Sequence, residues 1–300
     1  MRVLVALGGN AMTSPNGGAS PADQIAAVQR ASRHVVAMVE AGHQVVLTHG
    51  NGPQVGNLLV KNELAASVVP PVPLDWCVAQ TQATLGFLIV TALERRVARL
   101  VSTVVTRVLV GADDPAWARP TKPIGRYLSE SQAAERIAAG EAWEDRGERG
   151  WRRMVPSPRP LEILDRATIE ALIGDGAIVV ACGGGGIPMV RDGGALRGVE
   201  AVLDKDLTAA LLARTIGADC LAIATDVEAA AVGFGTDRQE WIGAIERERL
   251  RALFEAGEFG GGSMGPKVEA ALDFGGRAVI TSLERLREGV EGAAGTQVAA

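Results

Sequence analysis

At 300 residues the chain is long enough for one large domain or two lobes sharing a sheet. Apolar residues make up 47% and aromatics only 4%, so the core is built of Ala, Val, Leu and Ile, which suits parallel strands covered by helices. A net charge of −5 without a basic stretch excludes nucleic acid as a partner. The opening MRVLVALGGN is too short for a signal segment and the apolar stretches are of strand length, so a cytoplasmic protein with no membrane partner is expected. Cys77, Cys182 and Cys220 lack ligand-like spacing and read as buried, reduced thiols.

Apolar runs at 2–7, 44–48, 104–110, 177–182, 220–225 and 277–281 read as buried strands. Between them, 22–40, 75–96, 161–173, 205–216 and 266–274 carry helical apolar spacing. The alternation predicts an α/β fold with a doubly wound, mostly parallel sheet between two helical layers. Residues 111–160 break it, with prolines, charges and the tryptophans Trp117, Trp143 and Trp151. They read as an inserted, protruding lid subdomain over one end of the sheet. The closing EGAAGTQVAA predicts a short final strand and a frayed end.

Three glycine clusters follow strands directly: Gly8-Gly9-Asn10, His49-Gly50-Asn51-Gly52-Pro53-Gln54, and Gly183 to Gly186. In open parallel sheets the carboxyl ends of strands are where ligands sit, and glycine lets backbone N–H groups approach an anion. Asn10, Asn51 and Gln54 add neutral donors for a small planar carboxyl-like group. His49 reads as a cap on a loop carbonyl, with a base as the second option. No P-loop, complete dinucleotide fingerprint, H-E-x-x-H, G-x-S-x-G or protein-kinase signature occurs.

Phosphoryl transfer needs positive charge on the moving group. Lys122, Lys205 and Lys267 stand in constrained settings, PTKPIG, DKD and SMGPK, in a chain whose basic residues are mostly arginine. Asp204-Lys205-Asp206 opens a helix; one Asp is explained as a cap, which leaves Lys205 to be explained by function. Lys267 at a helix start opposes the helix dipole, which fits an external anion. Thr225-Asp226 follows a strand; Asp226 either caps the next segment or faces a nucleotide. These features predict a kinase that moves a phosphoryl group between ATP and a small anion.

ALGGNA, THGNGPQVGN, PLDWC, PTKPIG, GWRRMVPSPRP, CGGGGIP, GVEAVLDKD and GSMGPKVEAA occur in that order and span nearly the whole chain. Together they resemble the carbamate kinases of the amino acid kinase superfamily. The resemblance implies a three-layer αβα sandwich with a protruding PTKPIG subdomain, a homodimer, and reversible transfer between ATP and carbamate giving ADP and carbamoyl phosphate, with Mg²⁺. It implies one domain over 1–300, in which 1–110 plus 161–200 hold carbamate or carbamoyl phosphate, 111–160 form the lid, and 201–300 hold the nucleotide. By motif, Gly8, Gly9, Asn10, Gly50, Asn51 and Gly52 would embrace carbamoyl phosphate. Lys122 would reach in from the lid, Lys205 and Lys267 would stabilise phosphoryl oxygens, and Asp206 would orient the lysines. Gly184, Gly185, Thr225, Asp226, Met264 and Gly265 would lie near the nucleotide, and no protein side chain is assigned to the metal. Trp76 and Gln80 depart from the family pattern, and the segment after Thr225 is poor in aromatics for an adenine site. The competing readings are a superfamily kinase with another small acceptor, and a carbamoyl-phosphate sensor without catalysis.

Overall fold

The computed structural model describes residues 1–13, 18, 20–260 and 263–299. From the N-terminus, β1 (Arg2–Leu7) leads through a 3-10 turn (Gly9–Met12) to α1 (Pro21–Glu40), β2 (Gln44–His49), α2 (Gly52–Ala65) and α3 (Leu74–Glu94). After β3 (Val101–Thr103) and β4 (Arg107–Val110) come β5 (Lys122–Leu128), α4 (Glu130–Ala138), β6 (Ala142–Asp145) and β7 (Trp151–Val155). The chain returns through β8 (Pro160–Ile163), α5 (Arg166–Gly174), β9 (Ile178–Val180), β10 (Ile187–Asp192), β11 (Ala195–Gly198) and α6 (Lys205–Thr215). It ends with β12 (Cys220–Thr225), β13 (Ala231–Val232), β14 (Glu240–Trp241), β15 (Ala244–Ile245), α7 (Arg247–Glu255), α8 (Met264–Phe274), β16 (Arg277–Ser282), α9 (Leu286–Val290) and β17 (Thr296–Val298).

Alternation along β1 shows why the sheet needs a helical layer on each face. Val3, Val5 and Leu7 pack into one apolar cluster with α1, α3 and α9, whereas Leu4 and Ala6 join the opposite cluster with α5, α6 and α8. Each fully buried Val or Leu contributes about 1.5–3 kcal/mol relative to exposure, so neither face can be left open. Among the described residues the central sheet runs β15-β17-β16-β12-β1-β2-β9-β3, parallel throughout except where β17 pairs antiparallel with β16. β1 lies between β2 and β12, so the chain leaves it in opposite directions, and the crevice beyond its carboxyl end is a topological switch point. α1 starts cleanly because Ser20 and Asp23 form a reciprocal capping box behind Pro21.

The segment between β4 and β8 is ordered structure rather than a loose excursion. β5, β7 and β6 form their own antiparallel sheet, and Ile124 and Val155 from it pack with Val55, Leu59, Leu74, Cys77 and Val78. α2 and α3 thus carry this small sheet on an apolar seat of its own.

Several sequence expectations are corrected. The run 104–110 does not form one strand. Gln82 bonds both backbone groups of Thr106 (Thr106 N to Oε1 at 2.7 Å, Nε2 to Thr106 O at 3.2 Å), and the chain leaves the central sheet there to begin a second one. The helix expected over 161–173 starts at Arg166, because Pro160–Ile163 pairs antiparallel with β4, burying Pro160 and Ile163 and exposing Leu161 and Glu162. Helix α2 begins inside the glycine cluster that reads as a loop. Apolar stretches are not all strand-length: α3, 21 residues long with a mean hydropathy of 1.4 over its most apolar 18 residues, is long and apolar enough to cross a membrane. Its Leu85, Ile89 and Leu93 are instead part of the core against β1 and β2. All three cysteines are buried and free.

Candidate active site

The switch-point crevice is lined by Gly8, Gly9 and Ala11 after β1, by Ala224, Thr225 and Asp226 after β12, and by Ser263 and Lys267 of α8, enclosing about 600 Å³. Arg30 of α1 and Glu284 after β16 close one side. A second cavity of about 590 Å³ continues from Thr225, Asp226 and Ser263 to Phe234, Phe259 and Met264. Both lie within the size range of small-ligand sites. Backbones crowd where the two N-terminal glycine loops meet: a Cβ on Gly50 would sit 3.1 Å from Gly9 N and Cα, and one on Gly8 would sit 3.1 Å from Ala224 O.

Two carboxylates at the start of α6 divide the three lysines. Asp206, buried, holds Lys205 Nζ at 2.7 Å from Oδ1 and Lys267 Nζ at 3.2 Å from Oδ2. Burial pushes the Asp206 pKa up, but the neighbouring Lys205 and Lys267 outweigh it and hold the carboxyl below its ordinary value. Asp204 caps α6 through Oδ1, which accepts from Asp206 N at 2.9 Å and Leu207 N at 3.3 Å, and its Oδ2 takes Lys122 Nζ of β5 at 2.5 Å. Lys267 also donates to Ser263 O at 3.1 Å. Lys205 Nζ and Asp206 Oδ1 touch without hydrogen-bond alignment, so this buried ammonium keeps donors for another acceptor.

The run Gly183 to Gly186 is shaped by what packs onto it. A Cβ at Gly183 would overlap the His49 ring, and one at Gly184, where φ is +66°, would overlap the Asn51 amide. Leu203, next to Asp204, lies against Gly185, and Val108 lies against Gly186. Cys182 opens the turn at φ +54°, held by Thr106 Oγ1 (3.0 Å from Cys182 N) and by Thr48 Oγ1 donating to Cys182 O at 2.9 Å. His49 Nδ1 lies 3.1 Å from Gly50 O, its role a cap on a loop carbonyl. Burial lowers its pKa to about 4, with the Gly50 hydrogen bond opposing and Lys205 adding to the shift, so the ring is neutral near pH 7. Asn51 Nδ2 donates to Thr81 Oγ1 at 2.9 Å, and Gln54 Nε2 to Met12 O at 3.1 Å.

Of the residues singled out from sequence, Gly8, Gly9, Thr225, Asp226 and Lys267 line the crevice, and Met264 lines the cavity beyond it. Lys122, Lys205 and Asp206 gather at the α6 start, while Gly50, Asn51 and Gly52 join β2 to α2. Gly265 follows Met264 in the first turn of α8. The side chain of Asn10 lies outside the described residues. Gly184 and Gly185, expected beside the nucleotide, pack against Asn51 and Leu203 and are not among the residues lining either cavity. Arg30, Phe234 and the lysine-holding role of Asp204 escaped the sequence reading. Arg30 carries no local signal on an ordinary helix, whereas a cap on α6 suffices to explain Asp204 from its local sequence, and its partner Lys122 is 82 residues away.

The Amino acid kinase family model matches residues 1–283. The carbamate kinase of Pyrococcus furiosus is 42% identical over 311 aligned positions, covering 99% of this chain and 98% of the relative. That of Halobacterium salinarum is 44% identical, covering 98% and 97%. The solved structure of the Giardia lamblia carbamate kinase bound to AMP-PNP superposes with a TM-score of 0.94 at 38% identity, covering 99% of this chain and 98% of that one. Matched in sequence along its length and in fold throughout, the chain belongs to the amino acid kinase family, among its carbamate kinases.

Proposed function

We propose that the protein transfers a phosphoryl group reversibly between ATP and carbamate, giving ADP and carbamoyl phosphate. The observation that carries this reading is the gathering of Lys122, Lys205 and Lys267 on Asp204 and Asp206 beside a glycine-lined crevice. Carbamate already carries a charged oxygen, so the chemistry asks for alignment and charge neutralisation rather than a base. The neutral, buried His49 is consistent with that.

In this reading the backbone N–H groups of Gly8, Gly9, Gly50 and Gly52, with Asn10 and Asn51, hold the carbamoyl group. The unoccupied N-cap of α2 adds its dipole, since Asn51 makes no side-chain cap there. Lys205 and Lys267 neutralise the moving phosphoryl group, Asp206 fixes their positions, and Lys122 closes over it from the β5–β7 sheet, which acts as a lid that excludes water. The nucleotide runs from the crevice into the cavity of Phe234, Phe259 and Met264, with Thr225, Asp226 and Gly265 alongside. Residues 1–110 with 161–200 then serve the acceptor and 201–300 the nucleotide. Gly184 and Gly185 serve it indirectly, through the placement of Asn51 and of the turn at Asp204.

Among the described residues no cluster of three His, Cys, Asp or Glu side chains could cage a metal, and Asp204 and Asp206 are engaged by lysines. Mg²⁺ would arrive with ATP or ADP, held by phosphate oxygens and water, and no protein ligand is assigned to it. It supplies additional positive charge at the phosphates.

The exposed face of α3, with Trp76 and Phe87, and the exposed Leu64, Val68 and Val69 at the end of α2 and just after it support a homodimer. Trp76 and Gln80, the departures from the family pattern, sit on that exposed face. In this reading the protein works in the cytoplasm, a setting with which its three free, buried thiols are compatible.

The test is ATP formation from ADP, Mg²⁺ and carbamoyl phosphate, with acetyl phosphate as the comparison donor. Efficient synthesis from carbamoyl phosphate is expected. Lys205→Ala is expected to lower turnover by about a hundredfold or more while nucleotide binding persists. Absence of ATP from folded wild-type protein, or near-normal turnover in Lys205→Ala, would refute the proposal.

A further inference from the structure

We infer that Asp204 is the positioning residue for Lys122: its carboxylate draws the lid lysine to the edge of the phosphoryl site and sets it there before transfer. The inference rests on the reading of Lys122 as a lysine that meets the transferred group. Asp204 is buried and spends one oxygen on the α6 cap and the other on Lys122. A cap alone needs no charge, since Asn or Ser would serve as well. What the charge adds is attraction for an ammonium that arrives from another sheet, 82 residues away in sequence.

The need for that attraction follows from the charge count at the α6 start. Three ammonium groups face two carboxylates, and Asp206 is already shared between Lys205 and Lys267. Without Asp204, Lys122 would approach a site with a single carboxylate and two lysines, and like-charge repulsion would oppose the approach. Lys122 is also the most exposed of the three side chains, at 32% against 12% for Lys205 and 9% for Lys267, so it has the most freedom to lose.

Asp204 is well placed to act as an anchor because its own turn is clamped. Leu203 lies against Gly185 with no space for a Cβ between them, and Thr208 Oγ1 donates to Gly185 O at 3.0 Å. Val202 N donates to Pro156 O at 3.1 Å, joining this turn to the segment just after β7 by which the β5–β7 sheet returns to the body. The carboxylate therefore keeps its position relative to the root of the lid. When phosphoryl oxygens occupy the site, Lys122 exchanges one anionic partner for another over a short path.

The test is a double-mutant cycle of Asp204→Asn and Lys122→Ala, assayed for ATP synthesis and for ADP binding. Asn preserves the helix cap, so Asp204→Asn should keep the melting temperature close to wild type, and Asp204→Ser provides a second cap-preserving, uncharged variant. Lys122→Ala is expected to lower kcat about a hundredfold. Asp204→Asn is expected to lower kcat about tenfold with ADP binding unchanged, and to have no further effect in the Lys122→Ala background. Equal losses in both backgrounds, or wild-type turnover in both cap-preserving variants, would overturn the role of Asp204 and leave that of Lys122 standing. Wild-type turnover in Lys122→Ala would overturn the reading of Lys122 and the inference with it.

Discussion

Burial of His49 against Gly183 lowers its pKa from 6.5 to about 4, against the opposing hydrogen bond to the Gly50 carbonyl and with Lys205 adding to the shift. Between those values the unfolded chain binds a proton that the folded protein refuses, so stability is full above pH 6.5 and is lost as pH falls toward 4. The shift corresponds to about 3 kcal/mol over that window. Denaturant melts at pH 7.5 and pH 4.5 should show this loss in wild type and a smaller one in His49→Gln. His34 and His43, lowered chiefly by their own burial, act in the same direction and are shared by both proteins, so they cancel in the comparison. Identical pH dependence in the two proteins would remove His49 as a cause. Asp206 has the same sign in a lower window: its depressed pKa stabilises the fold above the ordinary carboxylate value of 3.8, and that contribution is lost as pH falls below it. At this scale the sequence was informative where charge and backbone freedom conflict with their setting, as in Lys205 between two aspartates or Lys267 at a helix start. It was silent on Arg30 and Phe234, whose places in the cavity walls depend on which distant backbone lies opposite them.

Elements were legible from apolar periodicity wherever both faces of a strand or one face of a helix is buried, as in β1, β2, β12, α1 and α6. They were illegible where side chains replace the backbone ladder. Gln82 ends one strand run by bonding Thr106, a contact across 24 residues that no local pattern encodes. The short strands β5, β6 and β7 alternate weakly because most of their residues are only partly buried or, in β6, exposed. The glycine run after β9 was legible as a special turn, but its partners were not. Gly184→Ala places a side chain at φ +66° and against the Asn51 amide. It should cost about 1–3 kcal/mol of stability and raise the KM for carbamoyl phosphate by freeing Asn51 from Thr81. Gly176→Ala is the matched control: φ is +80°, but the added Cβ meets nothing within 4 Å, so it should pay backbone strain alone and leave KM unchanged. Calorimetry and steady-state kinetics on the two variants separate strain from displacement, and an equal KM in both would show that Asn51 does not touch the acceptor.

On the scale of the whole molecule, α3 supplies a core face and an outward face at once: Cys77, Val78, Leu85 and Ile89 are buried while Trp76 and Phe87 stand 59% and 63% exposed. A second copy of the chain covering that face would account for two large aromatics in water on an otherwise well-packed helix. Light scattering should report a dimer for wild type and a monomer for the double variant Trp76→Asp, Phe87→Asp, with the melting temperature falling as the interface is lost. A monomeric wild type would assign the face to something else. The layered architecture was readable in the alternation of strand and helix, whereas the sheet order, with β1 between β2 and β12, emerges only from pairing.

The four glycines from 183 to 186 are met most closely by His49, Asn51, Leu203 and Val108 in turn. His49 ends β2, Asn51 stands at the start of α2, Leu203 lies in the turn before α6, and Val108 is in β4 of the second sheet. The turn works as a keyed socket, and a key cannot be recut in one tooth. Grafting an acceptor loop from a kinase for a larger substrate would fail here unless the socket were transplanted with it, because a bulkier residue at position 49 or 51 meets backbone instead of a side chain that can step aside.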